Sequence, residues 1–253
     1  MALVKTRALV IREQPFQEQD KILTLFTEKE GKQKAIAKGV RRSKSSMVAA
    51  TQLFSLSEFV YYPGKNFASI NQANLVEAFY PLRQDLIKMS LASYILELLD
   101  AFYDFYQGNP SVLKVANHTL YYISEGKAKH DEALIAAFQL KVAEAQGIRP
   151  NLLFCNYCKK KDDLAYFSID AGGVICRNCS SEQGYTYRLL PEQLEVMKTL
   201  LVKPIKMLKD MDFEDDMIRR IMDVMDHYIS YNLDKRLTAY RFYKEIKGSK
   251  KTS

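Results

Sequence analysis

Much of the usual machinery of catalysis is missing from this chain. It has no G-x-x-x-x-G-K-[ST] phosphate loop, no G-x-G-x-x-G, no H-E-x-x-H and no G-x-S-x-G, the patterns that place phosphates, dinucleotides, catalytic zinc or a nucleophilic serine. No carboxylates cluster at metal-nuclease spacing, and no nucleophile, base and orienting group can be assembled from its residues. Histidine is scarce, with three in 253 residues. His118 and His227 fall in helical stretches among tyrosines and read as packed or surface side chains, and His130 reads as a solvated loop residue. No apolar run is long enough to cross a bilayer, because the most apolar stretch, Leu86 to Tyr106, is interrupted by Glu97, Asp100 and Asp104. Met1-Ala2-Leu3-Val4-Lys5-Thr6-Arg7 lacks the pattern of a secretory signal, so the cytoplasm is the expected compartment. The chain reads as a binder, not an enzyme.

Cysteine is equally scarce, and what there is stands together. All four fall in Phe154-Cys155-Asn156-Tyr157-Cys158 and Val174-Ile175-Cys176-Arg177-Asn178-Cys179, two C-x-x-C pairs separated by 17 residues. Each pair brings two sulfurs to one side of a turn, and two pairs complete the four-sulfur shell of a structural zinc site. Between them, Leu164-Ala165-Tyr166-Phe167-Ser168-Ile169 reads as a strand, Asp170-Ala171-Gly172-Gly173 as a turn, and Val174-Ile175 as the return. The expectation is a zinc ribbon over 151–181 holding one Zn2+ on Cys155, Cys158, Cys176 and Cys179. Two disulfides are the rival reading, disfavoured in a reducing compartment. Redox C-x-x-C chemistry is weaker still, with no βαβ pattern around the motif.

A catalytic zinc is also conceivable. His130-Asp131-Glu132 upstream of Cys155-x-x-Cys158 is similar to the H-x-E … P-C-x-x-C signature of zinc deaminases. Phe154 stands where that signature has proline, Cys176 and Cys179 would have no role, and the acidic residues suit the first turn of a helix.

The formal charge of +7 is unevenly spread. Residues 1–80 carry 12 Lys and Arg against 7 Asp and Glu, residues 81–150 carry 7 against 8, and residues 151–253 carry 18 against 15, including the tail Lys247, Lys250 and Lys251. The basic first eighty residues read as five strands, at 4–11, 22–27, 34–40, 52–62 and 68–77, with turns at Glu28 to Gly31 and at Pro63-Gly64-Lys65-Asn66. That pattern fits an OB-type barrel, and an SH3-like barrel nearly as well. Between the third and fourth strands, Lys38-Gly39-Val40-Arg41-Arg42-Ser43-Lys44-Ser45-Ser46 predicts a mobile loop whose four cations can follow a phosphate backbone without reading sequence. Arg7, Arg12, Lys32 and Lys34 would support Lys38, Arg41, Arg42 and Lys44. Of the aromatics, Phe26, Phe54 and Phe59 sit in apolar runs and read as core, leaving Tyr61, Tyr62 and Phe67 as candidates to stack bases.

After Tyr80-Pro81-Leu82 the period becomes helical. A helix from Gln84 to about Gln107 is apolar on most sides and reads as the central post of a bundle. Further helices follow at Ser111–Ser124, Asp131–Gln146 and Pro191–Leu201, then a long one from Phe213 to Leu233 with scope to continue towards Ile246. Met207, Met211, Met217, Met222 and Met225 read as gap-filling core residues. The expected class is α+β and multidomain, with an OB-type barrel over 1–80 and an all-helical domain over 81–253 that carries the zinc ribbon as an insertion.

In this order the parts resemble the RecO family of bacterial DNA-repair proteins. The segments that carry the likeness are Glu18-x-Asp20-Lys21-Ile22-Leu23-Thr24-Leu25-Phe26-Thr27-x-x-x-Gly31-Lys32 and Ala37-Lys38-Gly39-Val40-Arg41-Arg42-x-Lys44, followed by a helical domain interrupted by the two cysteine pairs. The resemblance implies a non-catalytic recombination mediator that binds single- and double-stranded DNA and anneals complementary strands. It further implies partnership with RecR, and in many species RecF, in loading RecA onto strands coated by single-stranded-DNA-binding protein, whose acidic, apolar C-terminal tail the family also binds. A nucleoid-associated cytoplasmic location follows. A transcription or translation factor joining an OB barrel to a zinc ribbon is the alternative reading of the same parts.

Overall fold

The computed structural model describes residues 2–182 and 184–249, so Lys250 and Lys251 of the basic tail lie outside the described residues. The chain forms two compact units, one running up to Glu125 and resumed from Phe242, the other Gly126–Arg241.

The first unit is built on five strands, β1 (Val4–Phe16), β2 (Asp20–Thr27), β3 (Gly31–Ala37), β4 (Leu56–Tyr62) and β5 (Ala68–Glu77). They close in the order β1-β2-β3-β5-β4, with β1 also paired to β4 and β3 joined in parallel to β5. This Greek-key closure is the OB arrangement, and it decides a question that periodicity left open. Alternation explains the interior. Ala8, Val10, Leu23, Leu25, Ala35, Ala37, Phe59 and Tyr61 point inward and are buried, small residues alternating with large ones to fill a narrow barrel. Phe26 and Phe54 are buried as well, so all three aromatics expected in the core lie there.

Strand limits differ from expectation for local reasons. β1 runs on past Ile11 because Arg12 to Phe16 pair with Leu23, Thr24 and their neighbours down to Asp20, with a bulge between Val10 and Arg12. Arg12, Glu13 and Gln14 are polar there, where the pairing is to β2 and no longer to β4. β3 stops at Ala37 because Gly39 turns the chain at φ +66°. β4 begins at Leu56, after Phe54 adopts φ +68° and donates its N–H to Val10.

Helix α1 (Leu86–Phe102) starts where Asp85 accepts the N–H groups of Ile87 and Lys88. It stops five residues short of the expected Gln107, because Tyr103 is extended and the following segment lies along the start of β3, where Lys32 N–H donates to Gln107 at 2.7 Å and Tyr106 N–H to Lys32 at 2.8 Å. A Cβ on Gly31 would lie 2.2 Å from the Gln107 carbonyl, so only glycine admits this approach. Helix α2 (Pro110–Ser124) is capped by Asn109. Both helices belong to the barrel's unit. The buried post of the second unit is therefore another helix, α3 (Asp131–Ala145), whose residues 133–140 are all buried. It is rich in alanine and carries no apolar stripe for a sequence reading to find.

Around α3 pack α4 (Pro191–Val202), the short α5 (Ile205–Leu208) and α6 (Asp215–Leu233), where Met222 and Met225 are fully buried as expected. The long helix does not continue, since Asp234 takes φ +47° and α7 (Thr238–Ser249) begins anew. Between α3 and α4 stands a three-stranded sheet of β6 (Leu164–Ser168), β7 (Gly173–Cys176) and β8 (Thr186–Arg188), in the order β7-β6-β8. Among the described residues, no helix is long and apolar enough to cross a membrane.

Candidate metal centre and nucleic-acid interface

The two cysteine pairs meet. Cys155 and Cys158 lie on a turn closed by Lys159 N–H donating to the Cys155 carbonyl at 3.0 Å, and Lys159 takes φ +65° to complete it. Cys176 ends β7 and Cys179 sits one turn further on. All four sulfurs lie within 4.8 Å of one another, and Cys158 and Cys176 are 3.7 Å apart. A tetrahedron of sulfurs about 2.3 Å from a zinc ion has edges of about 3.8 Å, so the shell fits.

Burial works to raise the Cys155 thiol. The backbone N–H groups of Cys176, Cys158 and Tyr157 aim at its sulfur and more than offset that, holding it down at about 6. Cys179 is pushed up to about 12, first by its hydrogen bond with Cys176 and then by desolvation. A central cation would let all four ionise together.

Outer contacts hold the turns in register. Asn151 donates to the Phe154 carbonyl at 2.8 Å and to Asn156 at 2.6 Å, and Asn156 donates to the Ala171 carbonyl at 2.7 Å. Gly173 has no room for a side chain, because a Cβ there would meet the Asn151 oxygen at 2.3 Å.

His130 takes no part in this shell. Its Nε2 lies 2.8 Å from Asp212 and its Nδ1 3.0 Å from Asp215, so both ring nitrogens face carboxylates at the start of α6. The bond from His130 and the charge of Lys129 hold the Asp212 carboxyl below its ordinary range. The expected solvated histidine instead lies between two carboxylates, and the zinc-deaminase arrangement is not formed by these residues.

The expected nucleic-acid residues divide into three groups. Lys38, Arg41, Arg42 and Lys44 are all exposed on the β3–β4 loop. That loop is anchored where mobility was expected. Asp20 accepts the Gly39 N–H at 2.8 Å, and Arg41 N–H donates to the Gln19 carbonyl at 2.9 Å. The Arg41 guanidinium reaches the carbonyls of Gln17 and Glu18 at 3.3 and 3.1 Å, and Arg42 bonds the Gln19 side chain. The tip of the β1–β2 hairpin thus holds the basic loop in one place. In OB folds this hairpin loop borders the face that takes nucleic acid. Lys34 points outward from β3, its ammonium 4.9 Å from the Phe67 ring centre. Tyr62 is exposed on the outer face of β4, while Tyr61 is buried and donates to Glu30 at 2.5 Å.

Lys32 does not join this group. It is buried, and its ammonium donates to Asp100 O and Tyr103 O at 2.7 and 2.9 Å and pairs with the Asp100 carboxylate at 2.7 Å. A lysine has three donors, and these contacts occupy them in capping the C-terminus of α1. Arg12 shares Asp100, at 3.1 Å, from an exposed position. Arg7 lies at the far end of the β1–β2 hairpin from the loop, beside α2. Proximity in sequence offered no means of separating these roles. The Asp20 and Gly39 pair was visible only as two parts of one likeness.

Comparison with known proteins bears on the whole chain. The family model described as Recombination protein O N terminal matches residues 1–79, and that described as Recombination protein O C terminal matches residues 83–241. A protein named DNA repair protein RecO from Alkaliphilus metalliredigens is 32% identical over 234 residues, 92% of this chain and 95% of its own length. One so named from Symbiobacterium thermophilum is 33% identical over 99% of this chain and all of its own length. A third, from a Thermoanaerobacter species, is 37% identical over 72% of this chain and 73% of its own.

Proposed function

The chain belongs to the RecO family, and on that premise we propose that it is a non-catalytic mediator of DNA repair and recombination. It binds single- and double-stranded DNA and anneals complementary strands. With RecR, and RecF where present, it helps load RecA onto strands coated by single-stranded-DNA-binding protein, whose acidic C-terminal tail it also binds. It works in the cytoplasm, at the nucleoid. The barrel of residues 1–80 is its DNA-binding domain, and residues 81–253 supply the helices, of which α1 and α2 pack in the barrel's unit, with the ribbon of 151–181 inserted among the rest.

One observation carries the reading: four exposed cations on a loop that the β1–β2 hairpin anchors through Gly39, Arg41 and Arg42. Cations on an anchored backbone neutralise phosphates and release counterions with less of the segment to order at the moment of binding. Lys38, Arg41, Arg42 and Lys44 make these contacts, with Lys34, Arg12 and Arg7 at lesser positions and Lys32 as scaffold. None of them reads base edges, so affinity is independent of sequence. Screening two strands together on one basic protein favours their pairing. One Zn2+, held by Cys155, Cys158, Cys176 and Cys179, stabilises the ribbon and takes no part in chemistry.

An annealing assay with complementary oligonucleotides, bare or coated by single-stranded-DNA-binding protein, tests the reading. The protein should speed pairing of both. Failure to anneal, with retained affinity for structured RNA, would support the transcription- or translation-factor alternative instead.

A further inference from the structure

Within the first unit a cleft of about 550 Å3 opens between the outer side of the barrel and helix α2. Arg7 and Leu56 line its strand side with Glu28, and Leu113, Lys114, Asn117 and His118 line its helix side. Lys114 and His118 are four residues apart, so they share one face of α2. Partial burial, and then the charge of Lys114, keep the His118 imidazole below its usual range, so it offers a phosphate an N–H and not a positive charge. Arg7, Lys114 and His118 are exposed, and among the described residues no hydrogen bond or ion pair engages their side chains. Against the charges of Arg7 and Lys114 stands one carboxylate, Glu28. The first N–H groups of α2 add nothing, since Asn109 already accepts those of Ser111 and Val112.

We infer that this cleft is a second binding site for single-stranded DNA, in which Arg7, Lys114 and His118 receive phosphates. The inference rests on the proposal that the chain binds DNA through the β3–β4 loop, and adds a site that the loop does not supply. A phosphodiester matches the lining, with phosphate oxygens for the Arg7 and Lys114 cations and for an imidazole N–H of His118. The site is separate from the first. Arg7 and the hairpin tip that holds Arg41 are about ten residues apart along β1, or about 30 Å of strand. Two basic sites at opposite ends of one hairpin can neutralise two strands at once, which is what annealing needs of a single protein.

The test is the stoichiometry with which the full chain binds a short oligothymidylate. The wild-type protein should bind two oligonucleotides, and K114E/H118E one, with annealing slowed at least tenfold. K114Q/H118Q should lose part of the second binding event, and it replaces the charge reversal if circular dichroism finds α2 disturbed. Removing the cleft's charge should also flatten the salt dependence, by about 0.7 in slope for each phosphate no longer neutralised. A wild-type stoichiometry of one, or two oligonucleotides still bound by K114E/H118E, overturns the inference. So does a fluorescent acidic peptide that binds the wild type and not K114E/H118E while oligonucleotide stoichiometry stays the same, since the occupant is then a peptide. R41E/R42E separates the two proposals. If that variant binds DNA as the wild type does, the loop reading fails. If it loses binding while K114E/H118E still takes up two oligonucleotides, only the cleft fails.

Discussion

Lys32 and Lys38 lie six residues apart in the same basic segment, and their surroundings are opposite. Lys38 is exposed beyond the end of β3, whereas Lys32 is buried under the C-terminus of α1, where its ammonium meets two carbonyls and a carboxylate. Removing a buried, fully bonded ammonium leaves the two carbonyls without that donor and the Asp100 carboxylate with Arg12 alone. Lys32→Ala should therefore cost about 2–3 kcal/mol of stability, which for a chain of this size lowers Tm by about 5–10 °C. The folded variant should bind DNA within about twofold of wild type, since Lys32 offers no donor to a phosphate. Unchanged Tm with reduced DNA affinity would return Lys32 to the interface. Gly31 belongs with Lys32: it lets Gln107 approach so closely that the strap after α1 can be held. This Gly-Lys pair is part of the RecO likeness, and in this chain it is scaffold.

At the scale of elements, the barrel and the ribbon were legible because their patterns are local. Alternation in β2, β3 and β5, and paired cysteines across a Gly-Gly turn, follow from contacts a few residues apart. The elements that differed from expectation answer to distant partners. α1 ends early because β3, some seventy residues upstream, supplies both a cap and a pairing edge. The basic loop is fixed by hairpin residues Gln17 to Asp20, where its own serines and glycine suggested mobility. α3 is the buried post of its unit, yet its alanines give it no stripe.

The ribbon yields an element-scale prediction. Gly173→Ala drives a Cβ against the Asn151 carbonyl, displacing the strand pairing that positions Asn151, Asn156 and the first cysteine turn. Zinc retention, read by competition with a chelator, should weaken about 10- to 100-fold. Retention equal to wild type would mean that the turn is positioned by its sulfurs alone. Stripping the metal should unfold residues 151–181, visible as lost amide protection there. Protection that persists without zinc would show that the ribbon folds without its metal.

At the scale of the whole molecule, the excess positive charge is concentrated in the first eighty residues, and its working part is smaller than the total of +7 suggests. Of the eight cations expected to meet DNA, four share the anchored loop, one is buried and one is paired with Asp100. On the proposed reading, one short strand bound through the loop meets about four phosphates. The logarithm of the binding constant should then fall with the logarithm of salt at a slope of about −3. A slope near zero would mean that the contacts are not electrostatic.

The account places DNA binding in the loop and gives the four-sulfur centre a structural part. It is tested most directly by the affinity of R41E/R42E for single-stranded DNA at moderate salt, measured beside its melting curve. At least about a tenfold loss of affinity is expected, with Tm unchanged, because both guanidinium groups are exposed and bond only to the hairpin tip. Wild-type affinity with an unchanged melting curve would contradict it, and would move the DNA site away from the barrel loop.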